Sequence, residues 1–188
     1  MIIETVITTQ TNADKINFAA LGVEFFEEKL VFYAYKDTAT AENIKNSRKG
    51  VVNLVDRAKF IVFSALSDQK FKLKKTADLS GYFLEECCHY YEFKVLLVED
   101  LGEKYRVTAE ITADKFIKEA STFNRANNLL LEAAVIASRI GISFDKKDLL
   151  NYLDKNKRII FKTGDNESKK VFNFLVEYAE KQEVKNID

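Results

Sequence analysis

The sequence predicts an α+β protein, a six-stranded antiparallel barrel, closed or nearly so, followed by a helical C-terminal unit. Three observations carry that reading. Up to about Thr112, apolar residues recur with period two in short runs rich in β-branched and aromatic side chains. Beyond it the period becomes helical. Within the first half only two helical stretches interrupt the strands, too few crossovers for a doubly wound parallel sheet. The predicted domains are therefore a barrel over residues 1–113 and a helical domain over residues 114–188.

The first strand is "IIETVITTQ" (Ile2–Gln10), which alternates Ile3, Thr5 and Ile7 against Ile2, Val6 and Thr8. "TNAD" reads as a turn, and "KINFAALGVEFFE" as a second strand with Gly22 inside it. An isolated glycine in a strand marks a bulge or a close approach to the backbone. "KLVFYAY" is the third strand, followed by a short helix within "KDTATAENIKNSRK" and a fourth strand, "GVVNL". Arg57–Ser67 reads as a helix, whereas Asp68–Cys88 shows no clear period. "YYEFKVLLVED" and "EKYRVTAEIT" close the barrel through a tight hairpin at Asp100–Glu103.

The pattern then predicts one long helix from Ala113 to Ile140, apolar on most sides and so buried on most sides, with Gly141 as its left-handed end. Asp145 caps a second helix closed by Gly164. Asp165 or Asn166 starts a third, with Val171, Phe172, Leu175, Tyr178 and Ala179 on one face.

A chain of 188 residues, nearly half hydrophobic, buries a real core. Its 29 basic and 29 acidic side chains cancel, and no charge block exceeds the short "KLKK". That argues against a nucleic-acid protein, which needs a basic face. The N-terminus has no basic region and no long apolar run, and the only cysteines, Cys87 and Cys88, are adjacent. The expectation is a cytoplasmic protein with no signal peptide, membrane span or disulfide framework. There is no proline, so turns fall to Asn, Asp and the six glycines.

The stretch with most chemistry joins the third and fourth strands. Its helix N-terminus offers unpaired N–H groups and a partial positive charge. Lys36 adds a cation, Thr38 and Thr40 hydroxyls, and Asn43 an amide one turn on. A phosphate would find complementary donors there. The same residues also read as a plain N-cap beside a solvated lysine.

"CCHYY" invites a metal reading, but no other Cys or His exists to complete a zinc site. His89 reads as a packed or exposed side chain rather than an acid–base group. Glu85, Glu86, Glu92, Glu99 and Asp100 show no paired spacing. Asn124 and Arg125 head the long helix and could serve a ligand, a partner subunit or a carboxylate. The aromatic stripe Phe25, Phe26, Phe32, Tyr33 and Tyr35 reads as barrel core and dimer contact.

The order "NFAALGV", strand, "K-x-T-x-T-x-x-N-I", short helix, "VVNL" resembles the flavin-reductase-like members of the FMN-binding split-barrel superfamily. "FNRANNLLLEAAVIASRI" and the opening "MIIETVITT" resemble one mostly archaeal subgroup, the domain-of-unknown-function family numbered 447. The resemblance covers both halves but matches Asp68–Tyr90 poorly. It implies a split barrel that binds FMN at the interface of a homodimer. Lys36, Thr38, Thr40 and Asn43 would hold the phosphate, and backbone at Leu21, Gly22 and Val23 the isoalloxazine ring. Asn53 takes the place of an asparagine often found near the cofactor, or it pins a strand end; both readings stand.

Relatives usually carry proline within the segment reading "NFAALG" here, and often arginine where Ala39 stands. Loss of that arginine removes a bidentate donor that Lys36 replaces only in part. The function the resemblance implies is an FMN oxidoreductase with NAD(P)H or a small redox substrate as partner. A non-catalytic module for flavin or another phosphorylated ligand, and a scaffold with a vestigial pocket, remain as alternatives.

Overall fold

In a computed structural model that describes residues 1–11, 15–77 and 81–182, six strands close into an antiparallel barrel. They are β1 (Ile2–Gln10), β2 (Ile16–Phe26), β3 (Lys29–Tyr35), β4 (Lys49–Leu54), β7 (His89–Asp100) and β8 (Lys104–Phe116). Round the barrel the order is β1-β2-β3-β8-β7-β4. β1 and β3 have the bounds their alternation predicts. Most of the predicted "TNAD" turn lies outside the described residues.

Inward residues from all six strands fill the barrel, among them Ile7, Val23, Leu30, Phe32, Val52, Phe93 and Val107. Helix α1 (Ala39–Ser47) closes one mouth by adding Ile44 to that core. The patternless stretch contains two three-residue strands, β5 (Leu73–Lys75) and β6 (Tyr82–Leu84). β6 is fastened to the outside of the barrel by side chains. Thr8 Oγ1 donates to Tyr82 C=O, and the Leu84 N–H donates to Asn53 Oδ1 at 2.8 Å.

The remaining helices are α2 (Ala58–Leu66), α3 (Arg125–Ser138), α4 (Lys146–Thr163) and α5 (Asn166–Lys181). Their apolar faces share one core, built on Ala58, Val62, Leu130, Leu149, Leu153, Ile160, Val171 and Leu175. Asp145 caps α4 through a reciprocal capping box with Asp148, and Asp165 caps α5. Gly141 has φ +83°, the left-handed geometry its position predicts.

Two differences from the sequence reading have physical causes. The long helix expected from Ala113 begins only at Arg125, capped by Asn124. Residues Ala113–Phe116 instead finish β8, because β7 runs to His89 and pairs with them to its end. The division into compact units also differs from a cut at residue 113. Residues 1–56 and 69–120 form one unit, and residues 57–68 and 121–188 the other. α2 belongs with the later helices because Ala58 and Val62 are part of their core.

Candidate functional site

The ladders that close the barrel are unequal in length, and the one between β2 and β3 is short. β2 pairs with the whole of β1, Ile2↔Glu24 to Gln10↔Ile16, but with β3 only from Val23↔Phe32 to Phe26↔Lys29. From Ile16 to Gly22, the β3 side of β2 has no strand partner among the described residues. β3 has turned away there, its Tyr33, Ala34 and Tyr35 pairing only with β8.

Register shows which backbone groups this opening presents. The Thr11 N–H donates to Lys15 C=O at 2.9 Å, so that pair is a hydrogen-bonded one. Bonded and non-bonded pairs alternate along an antiparallel ladder. Asn17, Ala19, Leu21 and Val23 therefore turn their N–H and C=O groups to β1. Phe18, Ala20 and Gly22 turn theirs into the split. Of the three residues expected beside a flavin ring, Gly22 thus presents backbone groups with no ladder partner among the described residues, while those of Leu21 and Val23 are used by β1. Leu21 C=O also accepts from Thr5 Oγ1 at 2.9 Å, and the Val23 side chain is barrel core. The face above Gly22 is filled, since a Cβ there would lie 2.6 Å from Ile2 Cγ2.

α1 starts in the same opening. Thr38 is its N-cap: Oγ1 accepts from the Ala41 N–H at 3.3 Å and donates to Tyr35 C=O at 2.7 Å. The amides of Ala39 and Thr40 are left without intrahelical acceptors. Thr40 and Asn43 face inward, each 3% exposed. Asn17 Nδ2 donates to Thr40 Oγ1 at 2.8 Å, and Asn43 Nδ2 donates to Thr9 Oγ1 at 2.9 Å. Lys36 lies on the other side of α1. Its Nζ sits 2.6 Å from Asp100 Oδ1, at the β7–β8 hairpin, and shares the Tyr105 ring with Lys45. The Lys36 ammonium, and then the Gly102 N–H, hold the Asp100 carboxyl below its ordinary range.

The four expected phosphate residues are therefore not one cluster. Thr38 frames the exposed helix start, Thr40 and Asn43 tie α1 into the barrel, and Lys36 is ion-paired at the hairpin. Asn53 lies apart on the outer barrel face, fully buried, where Nδ2 donates to Val6 C=O at 2.9 Å while Oδ1 accepts from Leu84. The sequence reading passed over Thr9 and Asn17. The signal for Asn17 was present, an amide at the start of an otherwise apolar strand.

The other tempting residues resolve into structure. Asn124 Oδ1 accepts from the Asn127 N–H and Nδ2 donates to Thr163 C=O, while Arg125 is exposed. His89 Nε2 lies 2.7 Å from Asp114 Oδ2, with its ring stacked on Tyr91. Burial, and then the neighbouring Cys88, push the Cys87 thiol up to about 12. Among the described residues, no three His, Cys, Asp or Glu side chains form a metal-ligating group. In the aromatic stripe Phe32 is core and Phe25 partly buried against it, whereas Phe26, Tyr33 and Tyr35 are exposed.

A six-stranded barrel opened between its second and third strands, with a helical unit following, is a split barrel of the flavin-reductase-like fold. The chain belongs to the DUF447 family. The model for "Protein of unknown function (DUF447) N-terminal domain" matches residues 3–118, and that for "Protein of unknown function (DUF447)" matches residues 124–177.

An uncharacterized protein of Methanocaldococcus jannaschii is 29% identical over 188 residues, spanning 94% of this chain and 97% of that one. A crystal structure of an FMN-bound DUF447 protein from Methanosarcina mazei superimposes with a TM-score of 0.79 at 22% identity, over 94% of both chains. Flavoredoxin from Methanosarcina acetivorans is similar with a TM-score of 0.55 and 18% identity, over 64% of this chain and 72% of its own. Among the described residues no helix is long and apolar enough to cross a membrane.

Proposed function

We propose that this chain is an FMN-binding protein, a flavin-reductase-like oxidoreductase working as a cytoplasmic homodimer with the flavin at the subunit interface. The carrying observation is the unpaired edge of β2 at Phe18, Ala20 and Gly22, opening beside the first turn of α1. The residues present fit FMN. A strand edge offers alternating N–H and C=O groups to the polar rim of a flat ring, and a helix start offers amides to a phosphate. Thr38 would hold that helix start in place, and the Ala39 and Thr40 amides would meet the phosphate oxygens. Of Leu21, Gly22 and Val23, the Gly22 backbone would meet the ring's rim, with its two neighbours holding it through their bonds to β1.

Bound flavin itself supplies hydride and electron transfer. The chain's task is to bind, orient and shield it, in keeping with a site that has no nucleophile or acid–base pair. Ile2, Phe26, Tyr35, Leu97 and Phe116 are each 50–63% exposed, and a second barrel would cover such surface. NAD(P)H or a small redox substrate is the expected reaction partner. A binding role without turnover gains support from one observation: Lys36 is held by Asp100, and no guanidinium stands at Ala39 to replace it.

The test is titration of the purified protein with FMN, followed by visible absorbance after excess is removed, then anaerobic addition of NADH or NADPH. Retained flavin that bleaches supports the oxidoreductase. Retained flavin that does not bleach supports the binding module. A protein that takes up no flavin refutes the proposal. Sedimentation analysis reads the dimer separately. A Thr38→Ala/Thr40→Ala protein that bound FMN as tightly as its parent would refute the phosphate assignment.

A further inference from the structure

Where the β2–β3 ladder is missing, something else must fix the width of the opening. Beside the packing of Ile44 in the barrel core, two side-chain bonds between α1 and the β1–β2 pair are placed to do so. Asn17 Nδ2 donates to Thr40 Oγ1 at 2.8 Å, linking the start of β2 to the first turn of α1. One turn on, Asn43 Nδ2 donates to Thr9 Oγ1 at 2.9 Å, linking the same helix to β1. Thr9, Thr40 and Asn43 are each 3% exposed, so water competes little for the Asn43–Thr9 bond, and it reaches the Asn17–Thr40 bond from the half-buried Asn17 side alone. Asn17 directs its own backbone groups to β1, which leaves the side chain as its one connection across the opening.

We infer that Asn17 is a positioning residue whose bond to Thr40 holds α1 at a fixed distance from the β2 edge, so that one ligand reaches both at once. The inference rests on the proposed flavin site and assigns roles within it. The side chains of Thr40 and Asn43, committed inside the barrel, act through the helix position and not as phosphate ligands, which leaves the phosphate to the backbone amides of the first turn.

The consequence follows from bivalency. FMN has a ring for the edge and a phosphate for the helix start, and the second contact is gained cheaply only if the two subsites keep their spacing. Riboflavin has the ring alone. Loss of the latch should therefore weaken FMN and leave riboflavin nearly unchanged, an effect that a general loss of structure would not produce.

The experiment compares FMN and riboflavin dissociation constants by flavin fluorescence quenching for the parent, Asn17→Ala, Thr40→Val, the double variant and Thr40→Ser. Asn17→Ala and Thr40→Val should each weaken FMN by about three- to tenfold, the scale of one hydrogen bond. Riboflavin affinity should move less than about twofold on the same scale. The double variant should lose no more than either single change, because both remove one bond. Thr40→Ser keeps the acceptor and should behave as the parent.

Equal weakening of both flavins, or no weakening of FMN in Asn17→Ala, would overturn the inference. A Thr40→Val loss without an Asn17→Ala loss would also overturn it, by making the Thr40 hydroxyl a direct ligand. If the parent binds neither flavin, the proposed function falls. Amide exchange in the ligand-free protein then decides the latch: faster exchange along α1 in Asn17→Ala supports it, and unchanged exchange overturns it.

Discussion

Asn53→Ala offers the sharpest separation of two roles for one residue. Asn53 is fully buried, and its amide bridges three strands, donating to Val6 of β1 and accepting from the Leu84 N–H of β6. Truncation leaves the Leu84 N–H without that acceptor in a buried setting, at a cost of about 1–3 kcal/mol. Loss of the bond to Val6 adds about 1 kcal/mol. The sum is about 3 kcal/mol, a large part of a typical domain stability of roughly 5–15 kcal/mol.

The assay is denaturant unfolding of the flavin-free protein, with amide exchange at Leu84 as the local probe. The expected outcome is a midpoint shift worth about 3 kcal/mol, together with early loss of Leu84 protection. Asn53→Leu restores volume but not the acceptor, so Leu84 protection should stay lost. A residue whose business was the cofactor would behave otherwise, with stability unchanged and flavin affinity reduced. A loss below about 1 kcal/mol with Leu84 still protected would refute the strand-pinning argument.

Two further outcomes concern the helical unit. Gly164→Ala would place a Cβ 2.6 Å from Ser168 Cβ and 2.7 Å from Ile160 C=O. The carbonyl belongs to the backbone and cannot swing aside, so a stability loss of about 2 kcal/mol is expected in thermal or denaturant melts. The second outcome is acid lability. The Ser168 N–H, chiefly, holds the Asp165 carboxyl below its ordinary range. Burial alone would raise Glu167, but its bonds to Lys59 and Arg57 outweigh this and lower it. Depressed carboxylates contribute stability that is full above their unfolded values, near 4, and lost as pH falls through the folded ones. Unfolding midpoints should therefore drop below about pH 4, and Asp165→Asn, which still caps, should flatten that slope.

The elements most legible in the sequence are those whose own residues determine them. β1 and β3 alternate cleanly, and Asp145 and Asp165 stand where a helix start needs an acceptor. β5 and β6 were illegible because three residues cannot express a period, and β6 is held by Thr8 and Asn53 from far along the chain. The end of β8 was misread because "ADKF" has no strand preference of its own. Its conformation is imposed by the length of β7.

The site follows the same division. Sequence identifies donors but not what consumes them, and consumption is a matter of packing. Lys36, Thr38, Thr40 and Asn43 look alike as candidates for an anion. Yet Asp100, Tyr35, Asn17 and Thr9 engage them in four different ways, three through partners outside the local stretch. Among the described residues, the donors these partners leave open in this region are backbone: the edge of β2 and the first amides of α1. A strand edge carries no residue signature, because any side chain is compatible with an unpaired N–H. Only the register, and the point at which β3 leaves β2, make the opening visible. That is why the sequence, resemblance included, could name candidate residues but not which of their groups the fold has already bonded.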